Sequence, residues 1–304
     1  MEKIIKEVEE IDKWIDLCFQ RGDLLDYNSL MDIGIQTANH IRKLSIITIG
    51  SMTEDEHHQG DKNFELCDAV IVGHLVRIFK LYDQLSYFIS QNKGEISSIF
   101  SRLIFETFVI MKYLIIKGEP SIKNYIKVSF KSTIKEYDFI KNIERKRELS
   151  DIENRIRYKI ENRLRNVELD PTELLNNRNW NLDNLTFKDI VNFLIDNDPD
   201  GLNWERSYLF VFGSSSAFIH GTWYDIEISH LTKVDGKYFP KMEYDKVDPR
   251  YILPQSIFPT RACIDFLKWR KSDPVNFLTN IFLKIEKLLL YLNEMDEIRI
   301  KNKK

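Results

Sequence analysis

Residues 64–117 read FELCDAVIVGHLVRIFKLYDQLSYFISQNKGEISSIFSRLIFETFVIMKYLIIK, and this stretch decides the fold class. Apolar residues recur at helical spacing on both sides of Lys93-Gly94, and a glycine suits the left-handed position that ends a helix. We therefore predict two long helices, 64–92 and 95–117, which pack as an antiparallel pair because their link is short. The expected fold class is all-α, a helical bundle.

Amphipathic patterns continue outward from this pair in both directions. From Ile4 to Cys18, apolar residues alternate at four- and three-residue steps, which places them on one stripe of a helix. Further helical patterns cover residues 28–48, 121–166, 186–197, 203–219, 255–270 and 273–298.

Local signals predict where several of these helices begin. Ser150 with Glu153 has the spacing of a capping box, so the segment 121–166 is expected to break there. Thr186 with Asp189 has the same spacing and opens the helix that runs to about residue 197. Asp273-Pro274 is expected to open the last helix, since proline suits the first helical turn.

One β-hairpin is expected near residues 227–244, where Asp235-Gly236 separates two segments of strand-like composition. The sequence has no internal repeat and no long low-complexity linker. A single helical domain over residues 1–304 is therefore expected, with an N-terminal helical part, 1–50, packing on a core formed by 64–298.

The composition argues against recruitment of nucleic acid or lipid by overall charge, and it favours a reducing cellular compartment. The chain has 44 basic and 47 acidic residues, a net charge of −3, so no overall field recruits nucleic acid or anionic lipid. Cys18, Cys67 and Cys263 are odd in number and far apart, which favours a reducing compartment over a disulfide framework. The N-terminus, MEKIIKEVEEIDKW, lacks the apolar core of a signal peptide, so a cytoplasmic protein is expected.

The most apolar window, residues 99–116, carries charged residues in its middle. Because Arg102, Glu106 and Lys112 would lie within a bilayer, a membrane span is not expected. Arg102 and Glu106 stand four residues apart and share one helix face, in surroundings that predict partial burial. Such a pair marks either a functional site or an intrahelical ion pair that fixes the helix register.

A second polar cluster interrupts the apolar run VFGSSSAFIHGTWYDIEISH, residues 211–230. Its small residues, 213–217, would let another helix approach closely, and Gly221 can take a positive φ that ends the helix just after His220. Imidazole suits acid–base chemistry near neutral pH, although a hydrogen-bonded, half-buried histidine at a helix end explains the same pattern. We expect this helix to pack on the Arg102 helix and to bring Ser216 or His220 towards the Arg102–Glu106 pair.

The combination of an R-x-x-x-E helix (Arg102, Glu106) with a later S-x-x-x-H-G segment (Ser216, His220, Gly221) resembles a group of uncharacterised bacterial all-helical proteins, a family of unknown function. That family is similar in style to the HEPN superfamily, helical proteins of toxin–antitoxin and antiphage systems, many of which are metal-independent ribonucleases. The resemblance covers residues 65–230.

This chain departs from the HEPN nuclease motif at one position. That motif places an arginine before the histidine of the same helix, with four to six residues between them, where this chain has Gly213, Ser214 and Ser215. A catalytic guanidinium would therefore have to come from Arg102 or Arg206.

Two functional hypotheses follow, and the sequence leaves both open. The resemblance implies a metal-independent ribonuclease of a toxin or antiphage system, with Arg102, Glu106, Ser216 and His220 as catalytic residues, RNA as a partner and no cofactor. The alternative is a non-enzymatic interaction or regulatory module that binds a protein partner, as a monomer or an oligomer, and whose polar cluster is structural.

Two further polar stretches are predicted to be solvated. The segment 53–61, TEDEHHQGD, has one Glu-x-x-His unit, whereas helical di-iron sites repeat that unit, so no metal is expected. The segment 141–165 interleaves acids with bases, which favours a charged, exposed helix over a track for phosphates.

Overall fold

The computed structural model describes residues 2–51, 64–177, 179–198, 201–244 and 246–302, and most of them are helical. The α-helices, in chain order, are α1 (Glu2–Phe19), α2 (Tyr27–Ser51), α3 (Leu66–Ser90), α4 (Gly94–Lys117), α5 (Glu119–Ser129), α6 (Lys131–Glu144), α7 (Asp151–Arg165), α8 (Pro171–Leu175), α9 (Phe187–Asn197), α10 (Trp204–Ser207), α11 (Ser214–Ile219), α12 (Trp223–Asp225), α13 (Ile257–Arg270) and α14 (Phe277–Lys301). The strands β1 (Leu231–Val234) and β2 (Lys237–Pro240) form a two-stranded sheet. The predicted all-α class is confirmed.

Helices α3 and α4 pack against each other, as the quoted stretch predicts. Helix α13 packs on both of them, and α14 packs on α13, α1 and α2. The largest fully buried side chains are aromatic and come from α3, α4, α13 and α14: Tyr82, Tyr113, Phe105, Phe108, Phe266 and Phe282. The buried apolar cluster around them extends from Val8 in α1 to Leu292 in α14, so the amphipathic stripe of α1 faces this core.

The link between α3 and α4 differs from its prediction. Asn92 takes the positive φ of 56°, and Gly94 is instead the first residue of α4. A Cβ atom at Gly94 would lie 3.2 Å from the Tyr251 ring, so this glycine permits a close approach of two segments. Glycine is therefore needed at this position because of the contact with Tyr251 and not because of the turn.

The capping boxes at Ser150 and Thr186 form as predicted. The last helix forms as predicted, but its predicted start is wrong, because α14 begins at Phe277 rather than at Asp273-Pro274. The Asp273 carboxylate accepts hydrogen bonds from the amides of Phe277 and Thr279, at 2.8 and 2.7 Å, and so caps the helix from outside it.

The run 203–219 is helical but not uniformly α-helical. A π-helical stretch, Tyr208–Gly213, joins α10 to α11, and a second one, Ile226–His230, leads into β1. Gly221 has φ 55° and follows the end of α11 at His220, as predicted. The predicted hairpin is confirmed, with positive φ at both Asp235 and Gly236.

Among the described helices, none combines the length and the apolar character that crossing a bilayer requires.

Candidate functional site

The Arg102–Glu106 pair forms on α4 and is partly buried, as the sequence predicts. Arg102 Nε donates to Glu106 Oε1 at 2.7 Å, and the two side chains are 15% and 33% exposed. The Arg102 Cζ atom lies 4.1 Å from the centre of the Phe212 ring. The guanidinium therefore has a carboxylate at its edge and an aromatic ring on its face, the geometry of a cation–π contact.

Phe212 belongs to an aromatic cluster that the sequence analysis did not identify. Its ring stacks with those of Phe187 and Tyr208, at centroid distances of 4.9 and 5.0 Å. Tyr208 and Phe212 are four residues apart in the π-helical stretch, while Phe187 is the first residue of α9. The four-residue spacing is visible in the sequence, but the contribution of Phe187 is a tertiary contact.

Helix α11 and the π-helical stretch before it pack on α4, so the two predicted polar segments do meet. Ser215 is the buried serine of this run, Ser216 is half-buried, and His220 is exposed at the helix end. Within the described ranges, neither Ser216 nor His220 forms a side-chain hydrogen bond to Arg102 or Glu106. The buried Nη1 atom of Arg102 has no hydrogen-bond partner there either.

The structure thus places the four candidate residues at one helix junction but joins only two of them. Arg102 and Glu106 are in direct contact, whereas Ser216 and His220 contribute no polar contact to that pair. Arg206, the alternative guanidinium, lies over the Phe210 ring at 5.9 Å.

A second charged cluster, unforeseen in the sequence, lies further along α4. Lys112 Nζ is 2.8 Å from Asp265 of α13 and 3.1 Å from Asp198, which follows α9. Trp204 donates its indole N–H to the other oxygen of Asp198 at 3.1 Å. Burial lowers the pKa of Lys112, but the two carboxylates outweigh that effect and raise it, so the ammonium stays charged.

His74 and Arg77 of α3 both have partners within the protein. His74 is buried, and its Nδ1 lies 2.7 Å from the Val70 carbonyl oxygen, which identifies that nitrogen as the donor. Burial lowers the pKa of this imidazole. Arg77 Nε donates to Thr107 Oγ1 at 3.2 Å.

The segment 53–61, which contains the single Glu-x-x-His unit, lies outside the described residues. Across the residues that the structure does describe, no three His, Cys, Asp or Glu side chains are grouped to hold a metal ion.

The part of the chain that contains the central helices and the candidate residues matches a known sequence family. A family model described as "Family of unknown function (DUF5677)" matches residues 68–238, which is more than half of the chain. The chain belongs to the DUF5677 family. The predicted membership of a family of unknown function is therefore confirmed, while the relationship to the HEPN superfamily stays a prediction.

The DUF5677 match includes Arg102, Glu106, Ser216 and His220, and it ends within β2. Asp265, a partner of Lys112, lies beyond the match. No curated protein and no solved structure matches the chain.

Proposed function

We propose that this chain is a non-enzymatic helical interaction module whose Arg102–Glu106 pair is structural. The observation that carries the proposal is the enclosure of Arg102, whose guanidinium is paired with Glu106 and stacked on Phe212. A catalytic arginine has to present its donors to a phosphate, whereas both of these contacts hold the guanidinium at the α4 junction. The cluster is therefore suited to fixing how residues 208–219 pack on α4.

A surface that is available to partners supports the same proposal. Residues 209–244 carry exposed aromatic and aliphatic side chains, including Phe210, Trp223, Tyr224 and Phe239. Concentrated exposed apolar surface is typical of protein interaction sites.

The second candidate function is the metal-independent ribonuclease of a toxin or antiphage system. The observation that favours it is that His220 is exposed at the end of a helix packed on α4, where Arg102 Nη1 lacks a hydrogen-bond partner. His220 would act as general acid or base on the 2′-hydroxyl or the leaving oxygen, and Arg102 would stabilise the charge of the phosphorane. Glu106 and Ser216 would orient these groups.

An RNA cleavage assay separates the two candidates. Purified protein, His220→Ala and His230→Ala are each incubated with total RNA and with tRNA, with and without a chelator. We expect no cleavage above buffer for any of the three proteins. His230 is the matched control because it is exposed, lies in the same region and faces Asp225 rather than α4. Chelator-resistant cleavage that is lost in His220→Ala and retained in His230→Ala would establish the ribonuclease instead.

A further inference from the structure

The β-hairpin and the segment before it expose an unusual amount of apolar side chain. Eight large apolar residues between Trp223 and Met242 are each more than a third exposed, and Met242 reaches 86%. The four aromatic residues among them are about half exposed each and present roughly 400 Å² of side chain, because an aromatic side chain contributes on the order of 200 Å², and the four aliphatic residues add to this area. A stable interface needs about 800 Å² from each partner.

These residues form one structural unit. The Trp223 ring packs edge-on against Tyr238 at 5.5 Å, and the Tyr238 hydroxyl donates to Glu227 at 2.7 Å. The backbone amide of Lys241 donates to the His230 carbonyl oxygen at 2.9 Å, which extends the hairpin ladder. The hairpin and residues 223–230 therefore pack together as one unit, and the exposed apolar side chains belong to that unit.

The hairpin also presents an open strand edge. In the part of the chain that the structure describes, the sheet consists of β1 and β2 alone, and all residues of β2 are exposed. In this described sheet the outer edges of both strands therefore lack a strand partner, and β2 is the strand that carries two exposed aromatic side chains, Tyr238 and Phe239. A two-stranded hairpin gains stability from a further strand or a covering partner, and an apolar open edge is a template for pairing.

The charges of this surface favour a second copy of the chain over nucleic acid. Between residues 223 and 244, Lys233, Lys237 and Lys241 accompany Asp225, Glu227, Asp235 and Glu243. RNA requires an excess of basic groups, which this balance does not provide. A two-fold axis, in contrast, sets the surface against itself, so that the lysines of one copy can face the carboxylates of the other.

We propose that residues 223–242 form the two-fold interface of a homodimer, in which β2 pairs antiparallel with β2 of a second copy. Phe239, Met242 and Trp223 are buried in this dimer. The inference rests on the proposed function, since it names the partner of the interaction module.

The test is the mass of the full chain in solution. Light scattering after size-exclusion chromatography is measured over a range of concentrations for the wild type, Phe239→Asp, Met242→Asp and Phe139→Asp. Phe139 is the matched control because it is exposed on α6, outside the surface. Circular dichroism and thermal melting establish that each variant is folded. Met242→Asp provides a second variant at a side chain with almost no contacts to lose.

We expect the wild type and Phe139→Asp to have twice the 36.2 kDa mass of the chain. Phe239→Asp and Met242→Asp should each raise the dissociation constant about tenfold or more, since each replaces an apolar anchor with a like charge near the axis. A monomeric wild type, or a dimer that both variants leave intact, overturns the inference.

Failure of this proposal is distinct from failure of the proposed function. If the chain is a monomer and does not cleave RNA, the homodimer is rejected, and the partner of the module is expected to be a different protein. Cleavage that depends on His220 rejects the non-enzymatic module, whatever mass is found.

Discussion

At Arg102, one guanidinium contacts both a carboxylate and an aromatic ring. The Glu106 carboxylate is about one third exposed, so solvent screens the ion pair. The Phe212 ring excludes water from one face of the guanidinium and is itself stacked on two further rings. The sequence predicts the Glu106 carboxylate as the partner of Arg102, and the structure adds the Phe212 ring as a second partner.

Substitutions at Phe212 and Glu106 should therefore differ in cost. We expect Phe212→Ala to lower the free energy of unfolding by about 3 kcal/mol, since it removes a ring from a packed cluster. Glu106→Gln should lower it by about 1 kcal/mol, the scale of a partly exposed pair. Urea denaturation measures both. Phe210→Ala, at an exposed ring of the same run, is the control, and a cost equal to that of Phe212→Ala would contradict the assignment.

The three cysteines should differ in reactivity because they differ in burial. Cys18 and Cys263 are buried, and burial raises the pKa of their thiols to about 11 and about 12. Cys67 is only partly buried. Iodoacetamide at pH 8 should therefore modify Cys67 alone in the native protein and all three residues in urea, as read by mass spectrometry. Modification of Cys263 without denaturant would show that the core opens there.

Among the helices, α7 depends on the charge of one capping residue. Arg147 and the Ser150 amide stabilise the Glu153 carboxylate and lower its pKa to about 2. Because the folded pKa lies below the unfolded value of about 4.3, the cap stabilises α7 at higher pH and is lost as pH falls from about 4 to about 2.

Hydrogen exchange should report this loss locally. In the wild type, amides of the first turns of α7 should exchange faster, relative to an unstructured peptide, at pH 3 than at pH 6. Glu153→Gln should remove most of that difference, because its side chain does not titrate. Glu148→Gln, an exposed neighbour outside the helix, is the control and should behave as the wild type. A pH dependence that survives in Glu153→Gln would assign the effect to another group.

The predictions of single elements succeed where the cause is local. The capping boxes at Ser150 and Thr186, and the turn at Asp235-Gly236, involve residues within three positions of one another, so the sequence contains the whole interaction. The prediction at Gly94 fails because a contact with the Tyr251 ring, far away in the sequence, requires glycine there. The prediction at Asp273-Pro274 fails because Asp273 caps α14 from four residues before its first residue. The small residues 213–217 predict that α11 packs on α4, but they do not predict that Phe212 contacts Arg102.

Across the whole molecule, the Lys112 network connects parts that are distant in the sequence. Its members come from α4, from the end of α9 and from α13, which lies beyond the DUF5677 match. A sequence pattern identifies Lys112 as a charge in an apolar window, but it does not identify carboxylates this far away. The network therefore couples the family region to the C-terminal helices, and its loss should affect the stability of the entire bundle.

Replacing Lys112 with Met should lower the free energy of unfolding by about 3–5 kcal/mol, since it leaves two carboxylates buried without a cation. Adding Asp198→Asn and Asp265→Asn to that variant should restore part of the loss, because neutral amides carry no uncompensated charge. Chemical denaturation of the single and triple variants measures both effects. Lys117→Met, at an exposed lysine of the same helix, should cost less than about 1 kcal/mol. A triple variant no more stable than Lys112→Met would mean that lost packing, rather than stranded charge, causes the destabilisation.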